Sequence, residues 1–132
     1  MQRVAQCCCK KSSIRVSGSP DIHTVCHCDN CKQRTGSAFG ISVYFKIDSI
    51  IERTENLNVY RFHHEAKNHD QERYFCSVCG TTLYWTISSM PNLIGIAGGC
   101  FTDQSLPIPG FSANSSSKYS WVSLPSECKI VE

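Results

Sequence analysis

Near the middle of the chain the sequence reads Cys76-Ser77-Val78-Cys79-Gly80. The two residues between the cysteines let both sulfurs turn toward one point, and Gly80 permits the positive φ that such a tight turn requires. Far earlier in the chain, Cys7 and Cys9 would point to one face of an extended segment. Two such pairs can supply the four thiolates of a closed, tetrahedral zinc site. We therefore predict a structural zinc site that fixes the N-terminal strand to the middle of the chain, with the ligands Cys7, Cys9, Cys76 and Cys79.

A third cluster, Cys26-His27-Cys28-Asp29-Asn30-Cys31, places three cysteines in one short loop. Their spacing lets three sulfurs surround one ion, and no fourth cysteine stands beside them. Structural zinc sites are closed, whereas catalytic ones keep one position open. We predict a catalytic-type zinc site at Cys26, Cys28 and Cys31, with His27, Cys8 or Cys100 as alternatives for closing it. His27 is the weakest of these, because it faces away from its neighbours in an extended segment.

Three thiolates would leave a zinc ion with a net negative charge. Such an ion is a poorer Lewis acid than a zinc held by three neutral imidazoles, and it suits the holding of an incoming thiol better than the ionisation of water. The second cluster therefore favours thiol chemistry over hydrolysis. Arg34, three residues after Cys31, is a cation that could pair with a carboxylate of such a thiol.

The composition favours metal-bound cysteines over disulfides. The chain has 132 residues and 10 Cys, and its first residues carry no secretory signal. This predicts a reducing location, the cytoplasm, and one domain over residues 1–132. No apolar run is long enough for a membrane-spanning helix. The net charge is +2 with mixed signs, so neither a membrane nor a nucleic acid is expected as a partner.

Short runs of β-branched and aromatic residues, separated by Gly and Pro turns, predict an all-β fold. The clearest strand candidates contain Ile14–Val16, Ile41–Phe45, Val59–Phe62, Tyr74–Phe75, Leu83–Trp85 and Leu93–Ala97. Two short helical segments are predicted at 30–34 and 46–52.

The remaining chemically notable residues are interpreted as structural. The polar stretch with His63, His64 and His69 is predicted to be an exposed loop. Three further cysteines are expected to be small buried residues: Cys8, Cys100 and Cys128. The larger aromatics are expected in the core or in a pocket wall: Phe39, Phe45, Trp85 and Trp121.

The ordered motifs resemble the glutathione-dependent formaldehyde-activating enzyme (Gfa) family, which includes centromere protein V-like proteins. The similarity covers almost the whole chain, and it rests on the following segments: Cys7-x-Cys9, Cys26-His27-Cys28-x-x-Cys31, Arg34-Thr35-Gly36-Ser37, Arg73–Thr81, Asp103 with the Pro-rich segment after it, and Trp121.

The resemblance implies an Mss4-like, all-β fold of small antiparallel sheets stapled by zinc. It implies the same division into a structural zinc at four cysteines and a catalytic-type zinc at three. The implied activity is that of a carbon–sulfur lyase that converts glutathione and formaldehyde to S-hydroxymethylglutathione. The centromere protein V-like members suggest an alternative, a non-catalytic zinc module that binds a partner. Only an enzyme needs the second zinc to be open.

The sequence departs from the family pattern at two places. Lys10 stands where the family usually has a Gly after the first Cys-x-Cys. A His commonly follows the Pro-rich segment, and its place here falls on Ser112 or Phe111.

Overall fold

The computed structural model describes residues 1–103 and 106–132, and their secondary structure is mostly strand. The all-β prediction is confirmed. The strands are β1 (Gln2–Gln6), β2 (Ser13–Ser17), β3 (Ile22–Cys26), β4 (Gly40–Lys46), β5 (Ile50–Arg53), β6 (Asn58–His64), β7 (His69–Phe75), β8 (Thr82–Ile87), β9 (Leu93–Ala97), β10 (Phe111–Ala113) and β11 (Lys129–Val131).

The strands form two sheets. One has the order β1-β2-β5, and the other has the order β11-β10-β3-β4-β9-β8-β7-β6. Most pairs are antiparallel, but β10 runs parallel to both β3 and β11, which differs from the purely antiparallel arrangement expected. The parallel register sets Ala113 opposite Cys26, so residues far apart in sequence meet beside the third cysteine cluster.

The apolar core lies between the two sheets. Alternate residues of β2, Ile14 and Val16, are fully buried, as are Val43 and Phe45 of β4. This alternation follows from the two-residue period of a strand with one covered face. Burial of side chains of this size contributes about 1.5–3 kcal/mol each. Both sheets are therefore held by one shared core.

One α-helix, α1 (Asp29–Thr35), occurs in the described residues. The Cys28 sulfur caps its start by accepting a hydrogen bond from Cys31 N at 3.4 Å. Gly36 ends it in the left-handed conformation, with φ 63°. The helix predicted at 30–34 is confirmed. Within the described ranges, no helix is long and apolar enough to cross a membrane.

Two local predictions were wrong. The segment 46–52 contains only a single 3-10 turn, Ile47–Ser49, and then enters β5. The stretch with His63, His64 and His69 is the paired end of the β6–β7 hairpin, with His64 opposite His69. The loop prediction for these histidines was wrong because polar residues on a half-exposed hairpin have the same composition as a loop.

Candidate metal centres and the adjoining cavity

The structure brings together the sulfurs of Cys7, Cys9, Cys76 and Cys79, all within 4.8 Å of one another. The Sγ atoms of Cys7 and Cys9 are 3.6 Å apart, and those of Cys9 and Cys76 are 3.7 Å apart. Zinc–sulfur bonds of about 2.3 Å in a tetrahedron put sulfurs about 3.8 Å apart. A disulfide would hold them at about 2.0 Å. The four-cysteine centre therefore fits a tetrahedral metal ion.

Two similar turns present these sulfurs. Gly80 N donates to Cys76 O at 2.9 Å, and Gly80 has φ 78°. On the other side, Lys10 N donates to Cys7 O at 3.1 Å. The extended conformation expected at Cys7–Cys9 was wrong, because Cys8 and Cys9 lie in this turn. Lys10 has φ 68°, a left-handed conformation that Gly adopts more readily than Lys.

Hydrogen bonds to sulfur favour the thiolate form of Cys76 and Cys79 at this centre. Ser12 N donates to Cys7 Sγ at 3.2 Å. A side-chain hydrogen bond from Ser12, followed by the backbone amides of Cys79 and Val78, lowers the pKa of Cys76 to about 7. Thr81, whose Oγ1 lies 3.2 Å from Cys79 Sγ, lowers the pKa of Cys79 to about 5. Metals bind cysteine as thiolate, so these contacts suit a metal site.

The sulfurs of Cys26, Cys28 and Cys31 form a second cluster, again within 4.8 Å of one another. Cys26 ends β3, Cys28 caps α1 and Cys31 lies in the first turn of α1. The Sγ atoms of Cys26 and Cys28 are 3.4 Å apart. Asn114 Nδ2 donates to Cys26 Sγ at 3.2 Å. Donor type and spacing fit a metal ion held by three thiolates.

The pKa values of Cys26 and Cys31 are shifted in opposite directions. Hydrogen bonds from Cys28 and Cys31, with a smaller contribution from Asn114, hold the pKa of Cys26 far below its ordinary value, at about 2. The contacts with Cys26 and Cys28, together with burial, raise the pKa of Cys31 strongly. The contacts around Cys26 thus favour its thiolate form, the form in which metals bind cysteine.

None of the three candidates for closing the second cluster joins it. Among the described residues, no further Cys, His, Asp or Glu groups with the three cysteines. His27 is fully buried, with its Nε2 2.9 Å from Ser112 Oγ and its ring against Phe39. Cys8 and Cys100 line a different pocket. Of the cysteines expected to be buried, only Cys128 is; Cys8 is exposed and Cys100 is half-buried.

Two other residues lie away from their expected places. Arg34 packs over the ring of Trp85, 4.4 Å from its centroid, and lines the same pocket as Cys8 and Cys100. Trp121 is not a core or wall residue, since it is 73% exposed and stacks on Tyr119.

A cavity of about 200 Å³ lies directly against the three-cysteine cluster. Its other walls come from β4, from the β6–β7 hairpin and from the segment after β10. Its chemically active lining residues are Tyr44, His64, Lys67, His69, Gln71 and Arg73. Sequence reasoning missed the role of most of these residues, because the β6–β7 hairpin has the composition of an exposed loop. Only Arg73 belongs to one of the family-like motifs.

Hydrogen bonds fix the histidine tautomers in this cavity. Arg73 Nε donates to Gln71 Oε1 at 3.2 Å, which leaves the Gln71 amide nitrogen to donate to His69 Nε2 at 3.0 Å. Burial lowers the pKa of His69, so it is neutral near pH 7. Lys67 N donates to His64 Nδ1 at 3.3 Å, so the proton of neutral His64 lies on Nε2.

Tyr44 offers a hydroxyl donor to the same cavity. Its oxygen accepts a hydrogen bond from Trp85 Nε1 at 3.2 Å, and its own proton is therefore directed elsewhere. Burial raises the pKa of Tyr44, which keeps the hydroxyl protonated.

Comparison with known proteins identifies the family. A family model described as glutathione-dependent formaldehyde-activating enzyme matches residues 2–114. An uncharacterized lyase of Schizosaccharomyces pombe (strain 972) is 30% identical over 86 residues, which are 65% of this chain and 58% of that protein. The chain thus matches little more than half the length of this relative.

A crystal structure of a Rhodobacter sphaeroides protein superposes with a TM-score of 0.57, at 20% identity, over 76% of this chain and 88% of the other. That likeness concerns the fold. The match over residues 2–114, with all seven clustered cysteines inside it, shows that the chain belongs to the glutathione-dependent formaldehyde-activating enzyme family.

Proposed function

We propose that this protein is a carbon–sulfur lyase-type enzyme that joins a small thiol to an aldehyde. Glutathione and formaldehyde, giving S-hydroxymethylglutathione, are the substrates that the family name indicates. The observation that carries the proposal is the cavity that adjoins Cys26, Cys28 and Cys31. A centre with three protein sulfurs beside a cavity can accept a sulfur from a ligand.

We further propose zinc as the metal of both centres. All ligand candidates are thiolates, which suit zinc, and the sulfur spacings agree with its tetrahedral geometry. Four-sulfur ligation makes the site at Cys7, Cys9, Cys76 and Cys79 structural. Clustered free thiols also support a reducing compartment such as the cytoplasm. The core shared by both sheets supports one domain over residues 1–132.

In the proposed reaction the thiol sulfur forms a bond to the aldehyde carbon, the C=O π bond breaks, and the thiol proton ends on the oxygen. A zinc ion at the three-cysteine centre would supply the positive charge that favours the substrate thiolate. Tyr44 donates a hydrogen bond to the carbonyl oxygen as negative charge develops on it. His64 Nε2–H donates a second hydrogen bond to that oxygen, which receives the thiol proton through solvent water.

Exchange spectroscopy of formaldehyde with glutathione tests the proposal. The wild-type protein should speed the exchange above the uncatalysed reaction, and a Cys28→Ser variant that still folds should not. The Cys28→Ser variant is a matched control, since it keeps the four-cysteine centre. A wild-type rate equal to that of the variant and of the blank would reject the formaldehyde assignment.

The alternative, a non-catalytic module that binds a partner, is supported by a different observation. Tyr119 and Trp121 stack with 5.9 Å between ring centroids, and both are exposed. Exposed aromatic side chains are enriched at protein interfaces. A metal-loaded, folded protein that neither catalyses exchange nor binds small thiols would favour this module.

A further inference from the structure

We propose that the cavity at the three-cysteine centre selects a compact mercapto acid, a thiol whose carboxylate lies two or three carbons from the sulfur. This inference rests on the proposed binding of a thiol at that centre. It narrows the proposed class of small thiols to those with a nearby carboxylate. Glutathione falls outside this narrower class, because its carboxylates lie much farther from its sulfur.

The size of the cavity is the first argument. Its volume of about 200 Å³ lies below the 300–1,000 Å³ of sites that enclose drug-sized molecules. Glutathione, a tripeptide, is drug-sized, so most of it would remain outside. Ile87 and Met90 supply apolar wall against which a short methylene stem can pack. A thiol with a short carbon stem would fit within this volume.

Lys67 supplies a cation that no carboxylate neutralises. Its Nζ donates to the amide oxygen of Asn114 at 3.1 Å, and no ion pair with an acidic side chain occurs for it in the described part of the chain. An ammonium has three N–H donors, so two remain. The Asn114 amide joins this cation to the cluster, because its nitrogen donates to Cys26 Sγ.

Arg73 supplies a second cation of the same kind. It donates to the side-chain oxygens of Gln71 and Asn30, both of them neutral amides. Its guanidinium also packs over the ring of Phe62, at 4.7 Å. Two of its five N–H donors are used by these amides, and the others remain for a ligand. The amide partners orient the cation without cancelling its charge.

The described lining has no carboxylate. Within the described ranges, no Asp or Glu side chain borders this cavity, whereas Lys67 and Arg73 both do. The two cations could simply balance the charge of the cysteine thiolates. In that case they would affect every thiol equally. If they bind a ligand carboxylate, they will distinguish an acidic thiol from a neutral thiol of the same length.

Titration of the cobalt-substituted full chain separates these cases, because sulfur–cobalt bands report thiol coordination. The probes are 3-mercaptopropionate, the neutral 2-mercaptoethanol and glutathione. Wild type should bind 3-mercaptopropionate about tenfold or more tighter than either other thiol, as expected for a charge-assisted contact. Lys67→Met should lower the affinity for 3-mercaptopropionate to that for 2-mercaptoethanol, and Lys67→Gln provides a second variant.

Lys32→Met is the matched control for loss of charge. Lys32 follows Cys31 in sequence, but its Nζ donates to Ser117 O at 2.6 Å and covers the Tyr119 ring, away from the cavity lining. This variant should keep the preference for 3-mercaptopropionate.

Equal wild-type affinities for 3-mercaptopropionate and 2-mercaptoethanol would overturn the inference and leave the proposed thiol binding intact. The same holds if Lys67→Met weakens the binding of 3-mercaptopropionate and of 2-mercaptoethanol equally, or if glutathione binds most tightly of the three. A cobalt spectrum that no thiol changes would overturn the proposed function together with the inference.

Discussion

The amide nitrogen of Asn114 donates a hydrogen bond to the sulfur of Cys26 at 3.2 Å, across 88 residues of chain. Asn114 reaches this position with φ 55°, just after β10, whose parallel pairing with β3 sets Ala113 opposite Cys26. Asn tolerates this left-handed conformation better than most residues. The contact stabilises the thiolate of Cys26 and orients a candidate metal ligand.

Replacing Asn114 tests the importance of that contact. Partners that hydrogen-bond to metal ligands typically change metal affinity by about 10–100-fold. Asn114→Asp should weaken metal binding at the three-cysteine centre by about this factor, since a carboxylate repels the thiolate. Asn114→Gly, which keeps the backbone conformation, should show the smaller effect of losing the donor alone. Competition with a chromogenic chelator measures both, and unchanged affinity in both variants would contradict a role for Asn114.

The two cysteine centres should differ in their effect on folding. The four-cysteine centre joins the turn after β1 to the turn after β7, and thereby links the two sheets. Structural zinc contributes about 10 kcal/mol or more in small metal-dependent domains. Cys76→Ser should therefore unfold or aggregate the protein, whereas Cys31→Ser should lose one metal ion and keep most of the fold. Elemental analysis measures the metal content and circular dichroism measures the folding. Equal unfolding of the two variants would refute the division into a structural centre and a second, non-structural centre.

Lys10→Gly should stabilise the protein. Lys10 has φ 68°, which costs an L-residue about 1–2 kcal/mol, partly offset by the greater flexibility of Gly in the unfolded chain. We expect a gain of about 0.5–1 kcal/mol in the free energy of unfolding. Lys11→Gly is the control and should be destabilising. Denaturant unfolding with metal loaded measures the change, and a loss for Lys10→Gly would be contrary to this account.

His64→Leu should slow carbon–sulfur bond formation by about 100-fold without loss of metal, because one hydrogen-bond donor to a developing oxyanion contributes on that order. His63→Leu is the matched control. His63 is the neighbouring residue on β6, is exposed and has its Nδ1 2.8 Å from Asp70 Oδ1. Exchange rates and metal content are measured together. If the two variants have equal rates, His64 does not stabilise the reacting oxygen.

Ser112→Ala should destabilise the fold by about 1–3 kcal/mol, the usual cost of a buried polar group without a partner. Ser112 is fully buried, and its hydroxyl lies 2.9 Å from His27 Nε2. The other ring nitrogen of His27 is buried with no hydrogen-bond partner among the described residues. Ser112→Thr, which keeps the hydroxyl, serves as the comparison. A thermal unfolding midpoint unchanged in Ser112→Ala would show that His27 does not depend on this serine.

The sequence by itself determined the cysteine clusters, the β-rich fold and the family. These depend on short-range geometry: a Cys-x-x-Cys-Gly turn brings its sulfurs together locally, and alternating apolar residues define one face of a strand. Cys76, Cys79 and Gly80 therefore behave as their spacing predicts.

Only the tertiary structure decided what surrounds the second centre. Asn114 lies beside Cys26 because of a parallel strand pairing, and Lys67 and His64 reach the cavity because the β6–β7 hairpin folds toward it. Such contacts depend on the register and direction of strands that are distant in sequence. A single sequence carries no local signal for those pairings, since the same polar residues would also suit an exposed loop.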